Sequence, residues 1–169
     1  MYNLTINFYI ISMKLLYKEK QFMQPIFTII NVVVILFLFY TILVYGSDYG
    51  TASLVVLGII LAIILFAVFN FAWLNIQVTD TFIAFRFGLF KKQFYIKNLV
   101  DVEIQKYDLK RFGGYGIRKS IKNETGFVAR AGEGVYFRDK HSDKKIFLST
   151  SKPEEVYTQL IENGALEKR

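Results

Sequence analysis

Two long uncharged segments, residues 26–45 and 53–74, constrain this chain more than any other feature. A helix of about 20 residues rises about 30 Å, which matches the hydrocarbon core of a bilayer. Neither segment has the polar stripe that a surface helix of a soluble domain carries. Because only residues 46–52 separate them, the two helices must be antiparallel neighbours. The sequence therefore predicts a membrane-spanning helical hairpin over residues 26–74.

The charges on either side of the hairpin predict its orientation. Basic residues precede the first segment and follow the second, whereas the connecting loop carries only Asp48. The flanking basic residues are Lys14, Lys18, Lys20, Arg86, Lys91, Lys92 and Lys97. Because loops rich in Lys and Arg stay inside, we expect an inner (cell) membrane protein with both termini cytoplasmic. The first segment is too long for a signal-peptide core and no small-x-small cleavage site follows it, so we expect it to remain as an anchor.

Few side chains inside the hairpin are polar or small. Asn31 and Asn70 lie at similar depth in an antiparallel pair, and a hydrogen bond between their amides would contribute about 0.6 to 2 kcal/mol. Gly58 and Ala62 have the small-xxx-small spacing that allows close helix approach. The alternatives are that each amide reaches interfacial water and that the Gly58 and Ala62 spacing is incidental. Neither segment contains an ionisable residue, which argues against a pore or transporter.

Composition excludes several kinds of site. The chain has no cysteine, so it has no disulfide, thiolate zinc site or cysteine nucleophile. Its one histidine, His141, lies in a polar stretch that predicts a solvated turn. We therefore expect no catalytic residues, no metal and no cofactor. Residues 1–12 are uncharged and either are a mis-assigned extension before a start at Met13 or form a short interfacial segment.

After residue 75 the continuous apolar pattern changes to alternation. In residues 100–105, Val100, Val102 and Ile104 share one face, and Asp101, Glu103 and Gln105 share the other, as in a half-buried antiparallel strand. A capping pattern at residues 151–154 and Gly164 delimit a final helix. The predicted strands are 76–78, 82–87, 92–96, 100–105, 127–130, 135–138 and 145–149. The sequence thus predicts a small antiparallel β-barrel or sandwich with one C-terminal helix over residues 75–165, after an N-terminal segment 1–25 and before a tail 166–169.

The order of these elements behind two spans resembles the bacterial pleckstrin-homology-like (PH-like) domain proteins. The resemblance is carried by residues 76–87, 88–90, 96–102, 113–118 and 151–155. It implies a scaffold or interaction role without catalysis. Members that bind phosphoinositides have basic residues on the first hairpin loop, whereas this loop is Thr79-Asp80-Thr81. That difference argues against headgroup recognition at this loop.

A basic loop is the candidate binding surface. Between Lys106 and Lys122 the chain has six positive residues and one acid, Asp108, so this segment carries a net charge of +5. They are Lys106, Lys110, Arg111, Arg118, Lys119 and Lys122. Each such charge near an anionic leaflet contributes about 1 kcal/mol. Two interpretations stand: a surface for an acidic partner or anionic lipid, or a solvated loop that extends the positive-inside bias.

These observations predict a membrane-anchored, non-catalytic PH-like binding or scaffold module that presents a basic loop to a protein partner or the anionic membrane surface. The alternative is an accessory or immunity-type subunit of a membrane transporter complex that acts through its hairpin. We expect no nucleic-acid partner, because no recognition helix or aromatic strand motif accompanies the positive charge. Self-association is left open.

Overall fold

The computed structural model describes residues 14–47, 49–120 and 123–168, so the predicted start at Met13 lies outside the described residues. The long elements of the hairpin are α1 (Pro25–Tyr45) and α2 (Thr51–Phe71). The remaining elements are β1 (Leu15–Phe22), β2 (Trp73–Thr79), β3 (Phe82–Phe87), β4 (Phe90–Tyr95), a 3-10 turn (Ile96–Asn98), β5 (Leu99–Lys106), α3 (Leu109–Phe112), β6 (Gly116–Lys119), β7 (Glu124–Val128), β8 (Glu133–Asp139), β9 (Lys145–Ser149) and α4 (Pro153–Glu162).

The two hairpin helices are long and apolar enough to cross a membrane. Their apolar stretches have mean hydropathies of 2.5 and 3.1, and almost all of their described side chains are exposed or half-buried. A core helix of a soluble protein would be covered on most sides, so this exposure fits lipid as the surrounding solvent. One seam on each helix is half-buried, with the spacing of three and four residues typical of paired helices. Its members are Asn31, Ile35, Leu38 and Ile42 on α1 and Leu54, Leu57, Leu61 and Ile64 on α2.

The second helix ends three residues before the predicted boundary at residue 74. Trp73 and Leu74 belong to β2, and Leu74 is completely buried in the domain core. These two residues are as apolar as the helix that precedes them, so the uncharged segment alone does not mark where the helix gives way to a strand. Only Ala72 separates α2 from β2.

The hairpin is inserted between two neighbouring strands of one sheet. β1 precedes α1 and pairs antiparallel with β2, from Leu15 opposite Thr79 to Phe22 opposite Trp73. The folded domain therefore includes part of the predicted N-terminal segment 1–25. β1 has no apolar alternation, because its inward-facing residues are Tyr17, Glu19 and Gln21.

Two sheets form a sandwich. Their strand orders are β1-β2-β3-β4 and β5-β8-β9-β7-β6. All pairings are antiparallel except β7 with β9. The predicted sandwich is confirmed in outline, whereas a closed barrel is not formed because β4 and β6 do not pair. α4 packs against β1, β2, β5 and β8, at the side of the sandwich opposite this opening.

Aromatic side chains fill the space between the sheets. Phe85 is central: its ring lies 4.6 Å from that of Phe127 and 6.3 Å from that of Phe137, both edge-on. All three are almost completely buried. Burial of each such ring contributes about 1.5 to 3 kcal/mol. A second aromatic cluster, Tyr107, Phe112, Val128, Tyr136 and Phe147, lies on the other face of the second sheet beneath α3.

Candidate functional site

The predicted basic-loop residues are spread over three elements. Lys106 ends β5, Lys110 and Arg111 lie in α3, and Arg118 and Lys119 lie in β6. Lys122 lies outside the described residues. Gly116–Lys119 forms the strand β6, although the sequence predicted a loop there. The glycines and charges of this stretch conceal the alternation that would have indicated a strand.

Arg111 is neutralised within the domain. Its Nη2 and Nε lie 2.5 and 2.6 Å from the two carboxylate oxygens of Glu124, and its Nη1 donates to Gln105 Oε1 at 3.1 Å. Glu124 is only 4% exposed. Burial alone would raise the pKa of Glu124, but hydrogen bonds from Arg111 and Ser120 outweigh it and hold that pKa below its usual value. This bidentate pair ties α3 to β7 and leaves little of the Arg111 charge for a partner.

Arg118 and Lys119 point to opposite faces because they are consecutive on a strand. Arg118 Nε donates to the backbone oxygen of Tyr115 at 2.7 Å. Lys119 instead lines a groove between β4 and β6. Of the five basic-loop residues that the structure describes, Lys119 is the one that lines a groove with other lysines.

This groove, hereafter the lysine groove, has a volume of about 780 Å³ and separates β4 from β6, β7 and β9. Five lysines from three parts of the chain line it: Lys91, Lys92, Lys119, Lys144 and Lys145. Its apolar walls are formed by Phe90, Phe94, Ile117, Phe127 and Ile146. Four of the five lysines fall outside the predicted basic loop, so sequence separation concealed their proximity.

Two of the lysines occupy positions that normally hold core side chains. Lys92 pairs with the buried Phe85 and therefore faces inward. Lys119 pairs with Thr125, which is itself paired with the buried Ile146. In the sequence, this arrangement is visible in residues 90–94. Phe90, Lys92 and Phe94 share the inward face of the strand, so a lysine stands between two inward-facing phenylalanines. Departures of this kind from the inside-apolar pattern occur at functional sites.

The positive charge of the lysine groove is balanced in part at Lys145, whose charge helps to lower the pKa of its strand neighbour Glu124. The one carboxylate that lines the groove, Asp143, accepts a hydrogen bond from Arg138 Nη1 at 3.1 Å on the outer face of the second sheet. Within the described part of the chain, none of the five lysines forms an ion pair. On that outer face, Arg138 also pairs with Asp101 at 2.7 Å, and Lys168 pairs with Glu103 at 2.8 Å.

One end of the lysine groove, at Phe90, adjoins the C-terminal end of α2. The ring of Phe90 stacks on that of Phe71, the last residue of α2, at 5.6 Å. Asn70 fixes the β3–β4 turn there: its Oδ1 accepts from the Leu89 N–H at 3.2 Å, and its Nδ2 donates to the Phe66 carbonyl at 2.9 Å. Gly88 has φ +46°, and a Cβ there would lie 2.5 Å from Asn70 Oδ1. The turn is thereby held against the hairpin.

The predicted contacts within the hairpin have different placements. Asn31 lies on the half-buried seam and lines a cavity of about 150 Å³ near the domain end of the helices. Its bond to Asn70 stays a prediction, since the contacts just described engage Asn70 with Phe66 and Leu89. Gly58 and Ala62 are exposed, and a Cβ built on Gly58 meets no atom within 4 Å. The structure therefore does not place Gly58 against α1.

His141 lies in the exposed β8–β9 turn, as predicted. No group of three or more potential metal ligands occurs among the described residues. Comparison of the chain with protein-family models, with curated proteins and with solved structures found no match. Function must therefore be argued from the lysine groove and its position beside the hairpin.

Proposed function

We propose that the chain is a membrane-anchored, non-catalytic binding module whose PH-like cytoplasmic domain binds an anionic ligand in the lysine groove. The observation that carries the proposal is the set of lysines around apolar walls, above all the inward-facing Lys92 and Lys119, which form no ion pair with a described residue. Charge-assisted hydrogen bonds from several ammonium groups to one polyanion are stronger than neutral ones. A groove of this volume lies within the usual range of roughly 300 to 1,000 Å³ for ligand pockets.

The connection between hairpin and domain supports a fixed position at the membrane. The Met23 N–H donates to the Ala72 carbonyl at 2.9 Å, which continues the β1–β2 ladder up to the first turn of α1. The Gln24 N–H then donates to the Ala129 carbonyl at 2.7 Å. With no flexible linker on either side, the domain lies directly against the bilayer surface.

The basic flanks support a cytoplasmic domain. Lys14, Lys18 and Lys20 lie in or next to β1, and the basic residues after α2 lie in the same sheet or just beyond it. Both groups are on the domain side of the hairpin, and loops of this composition are retained in the cytoplasm. Lys20 Nζ lies 4.5 Å from the centre of the Trp73 ring, an arrangement suited to the headgroup layer.

Binding of inorganic tripolyphosphate tests the proposal. The full chain would be placed in phosphatidylcholine nanodiscs, and calorimetry would compare it with the Lys92→Gln/Lys119→Gln variant. Because two inward-facing charges are lost, we expect affinity to fall about ten-fold. The matched control is Lys106→Gln/Lys110→Gln, which removes the same charge from the predicted basic loop and should change affinity less than about two-fold. Equal losses in the two variants, or no binding by the unmodified chain, would contradict the proposal.

A further inference from the structure

The domain covers two of its four sheet edges and leaves two open. The outer edge of β5 is bonded to the C-terminal segment: the Val102 N–H donates to the Leu166 carbonyl at 3.0 Å, and the Leu166 N–H donates to the Leu99 carbonyl at 2.9 Å. The Lys168 N–H adds a third bond, to the Val102 carbonyl, at 3.2 Å. This edge is therefore occupied by the chain itself.

The β1 edge lies beside α4, and β1 is joined to the rest of the chain there by side chains. Gln21 Nε2 donates to the Ser149 carbonyl at 3.1 Å, and Glu19 accepts from the Ser151 N–H at 2.9 Å. These bonds connect β1 to the segment between β9 and α4.

β4 and β6 are the two open edges, and both border the lysine groove. Within the described residues, no backbone hydrogen bond joins the free side of either strand to another segment. In the β3–β4 hairpin, Phe87 and Phe90 pair across a two-residue turn. With this pairing, the backbone N–H and C=O groups of Lys91 and Gln93 point away from β3 and toward the groove. Such unpaired groups are a template for a further strand.

The length of the groove distinguishes between two kinds of anionic occupant. Along β4 alone, Phe90 to Phe94 spans about 13 Å at a rise of about 3.3 Å per residue. The headgroup layer on each side of a bilayer is roughly 5 to 7 Å thick. Gly116 lies beside Phe71 at the end of α2, and Lys119 follows three residues, about 10 Å, further along β6. We therefore expect a lipid headgroup that stays in the membrane to fall short of this end of the groove. An extended peptide spans the whole length.

We propose that the lysine groove binds an extended acidic segment of a partner protein, which adds to β4 as an extra strand. This inference rests on the proposed function, because it names the anionic ligand of the same groove. Alternate side chains of the segment face inward. An apolar one would lie near Phe90 and Ile117, and acidic ones would meet Lys92 and Lys119. Inward-facing lysines also repel an ordinary apolar strand, so they select an acidic partner.

Fluorescence anisotropy with labelled peptides tests the inference. The probes are Thr-Val-Thr-Glu-Thr-Glu-Thr and its reversed sequence, offered to the full chain in phosphatidylcholine nanodiscs. We expect at least one to bind, and glutamine in place of both glutamates to weaken binding at least ten-fold. Lys92→Gln/Lys119→Gln should weaken it similarly. Two further peptides carry N-methyl groups on alternate amides. Since a strand turns only one set of amides toward β4, at least one methylated peptide should lose binding although its charge is unchanged.

The outcomes separate this inference from the proposed function. Retained binding by both methylated peptides would overturn strand addition. Tripolyphosphate binding without peptide binding would overturn the inference and leave the proposed function standing, and binding of neither would remove both. If phosphatidylglycerol in the nanodiscs blocks the peptide in the unmodified chain but not in a Phe90→Ser variant, a lipid is the occupant and the inference is wrong.

Discussion

The two sides of the sandwich treat charged groups in opposite ways. On the closed side, the Glu19 carboxylate accepts hydrogen bonds from Tyr17 at 2.7 Å, Thr150 at 2.6 Å and the Ser151 N–H at 2.9 Å. On the open side, Lys92 and Lys119 also occupy inward-facing strand positions, but both are exposed and neither forms an ion pair with a described residue. A charge whose bonding capacity is filled by its own chain stabilises the fold, whereas an unfilled one is available to a ligand. The contrast therefore separates a charge that is bonded within the fold, that of Glu19, from charges that are available to a ligand, those of Lys92 and Lys119.

The closed side joins distant parts of the chain. Glu19 lies before the hairpin, and its partners Thr150 and Ser151 lie more than a hundred residues later, just before α4. Burial would raise the pKa of Glu19, but hydrogen bonds from Ser151, Thr150 and Tyr17 hold it below its usual value. Burial raises the pKa of the neighbouring Tyr17 to about 12. These shifts show that the ionised carboxylate and the neutral phenol are the forms that fit this site.

Replacing Glu19 should have the largest effect. Glu19→Ala leaves several partly buried donors without an acceptor, and we expect it to lower the free energy of unfolding by about 3 kcal/mol. Urea unfolding in nanodiscs, followed through Trp73, the single tryptophan, would measure the change. Glu133→Ala is the matched control, because Glu133 is exposed and forms no ion pair within the described chain; it should change stability by less than about 0.5 kcal/mol. Similar midpoints for the two variants would erase the proposed contrast.

Acid pH should produce a smaller loss of stability at the carboxylates that the fold itself holds, one on each side of the sandwich. Glu19 and Glu124 both have lowered pKa values in the folded protein. Their stabilising contribution is therefore present above the ordinary carboxyl pKa of about 4.3 and is lost as pH falls through the folded values. We expect amide hydrogen exchange at Ser151 and Ser120 to accelerate below about pH 4 relative to amides of the β3–β4 hairpin. Uniform acceleration across the domain would show that the carboxylates do not act locally.

Sequence was sufficient where one physical property dominates. The hairpin follows from the absence of charge, and several strands follow from alternation. β1 escaped prediction because its inward face is made of Tyr17, Glu19 and Gln21, whose suitability depends on Ser149 and Thr150 far along the chain. No local pattern reports such partners. The end of α2 escaped because lipid and a protein core favour the same residues.

The candidate site could be predicted only in part. Lys119 was identified as a member of a basic segment, but Lys91, Lys92, Lys144 and Lys145 join it through strand order. Conversely, Arg111 belongs to the same segment and is neutralised by Glu124, which lies just past the segment. Charge counted along the chain thus differs from charge available in space, because sheet register decides which side chains meet.

The smallest expected effect is a gain in stability rather than a loss, and it concerns the open side of the sandwich. Lys92→Leu places an apolar side chain at an inward position between Phe90 and Phe94, so we expect stability to rise by about 0.5 to 1 kcal/mol while tripolyphosphate affinity falls, by less than in the double variant. Lys91→Leu is the control, because Lys91 pairs with Arg86 on the outward face and its replacement buries little. The same urea unfolding would measure both variants. An inward-facing charge that serves binding lowers the stability of the fold, whereas one that is bonded within the fold raises it. A fall in stability for Lys92→Leu would therefore mean that Lys92 supports the fold as Glu19 does.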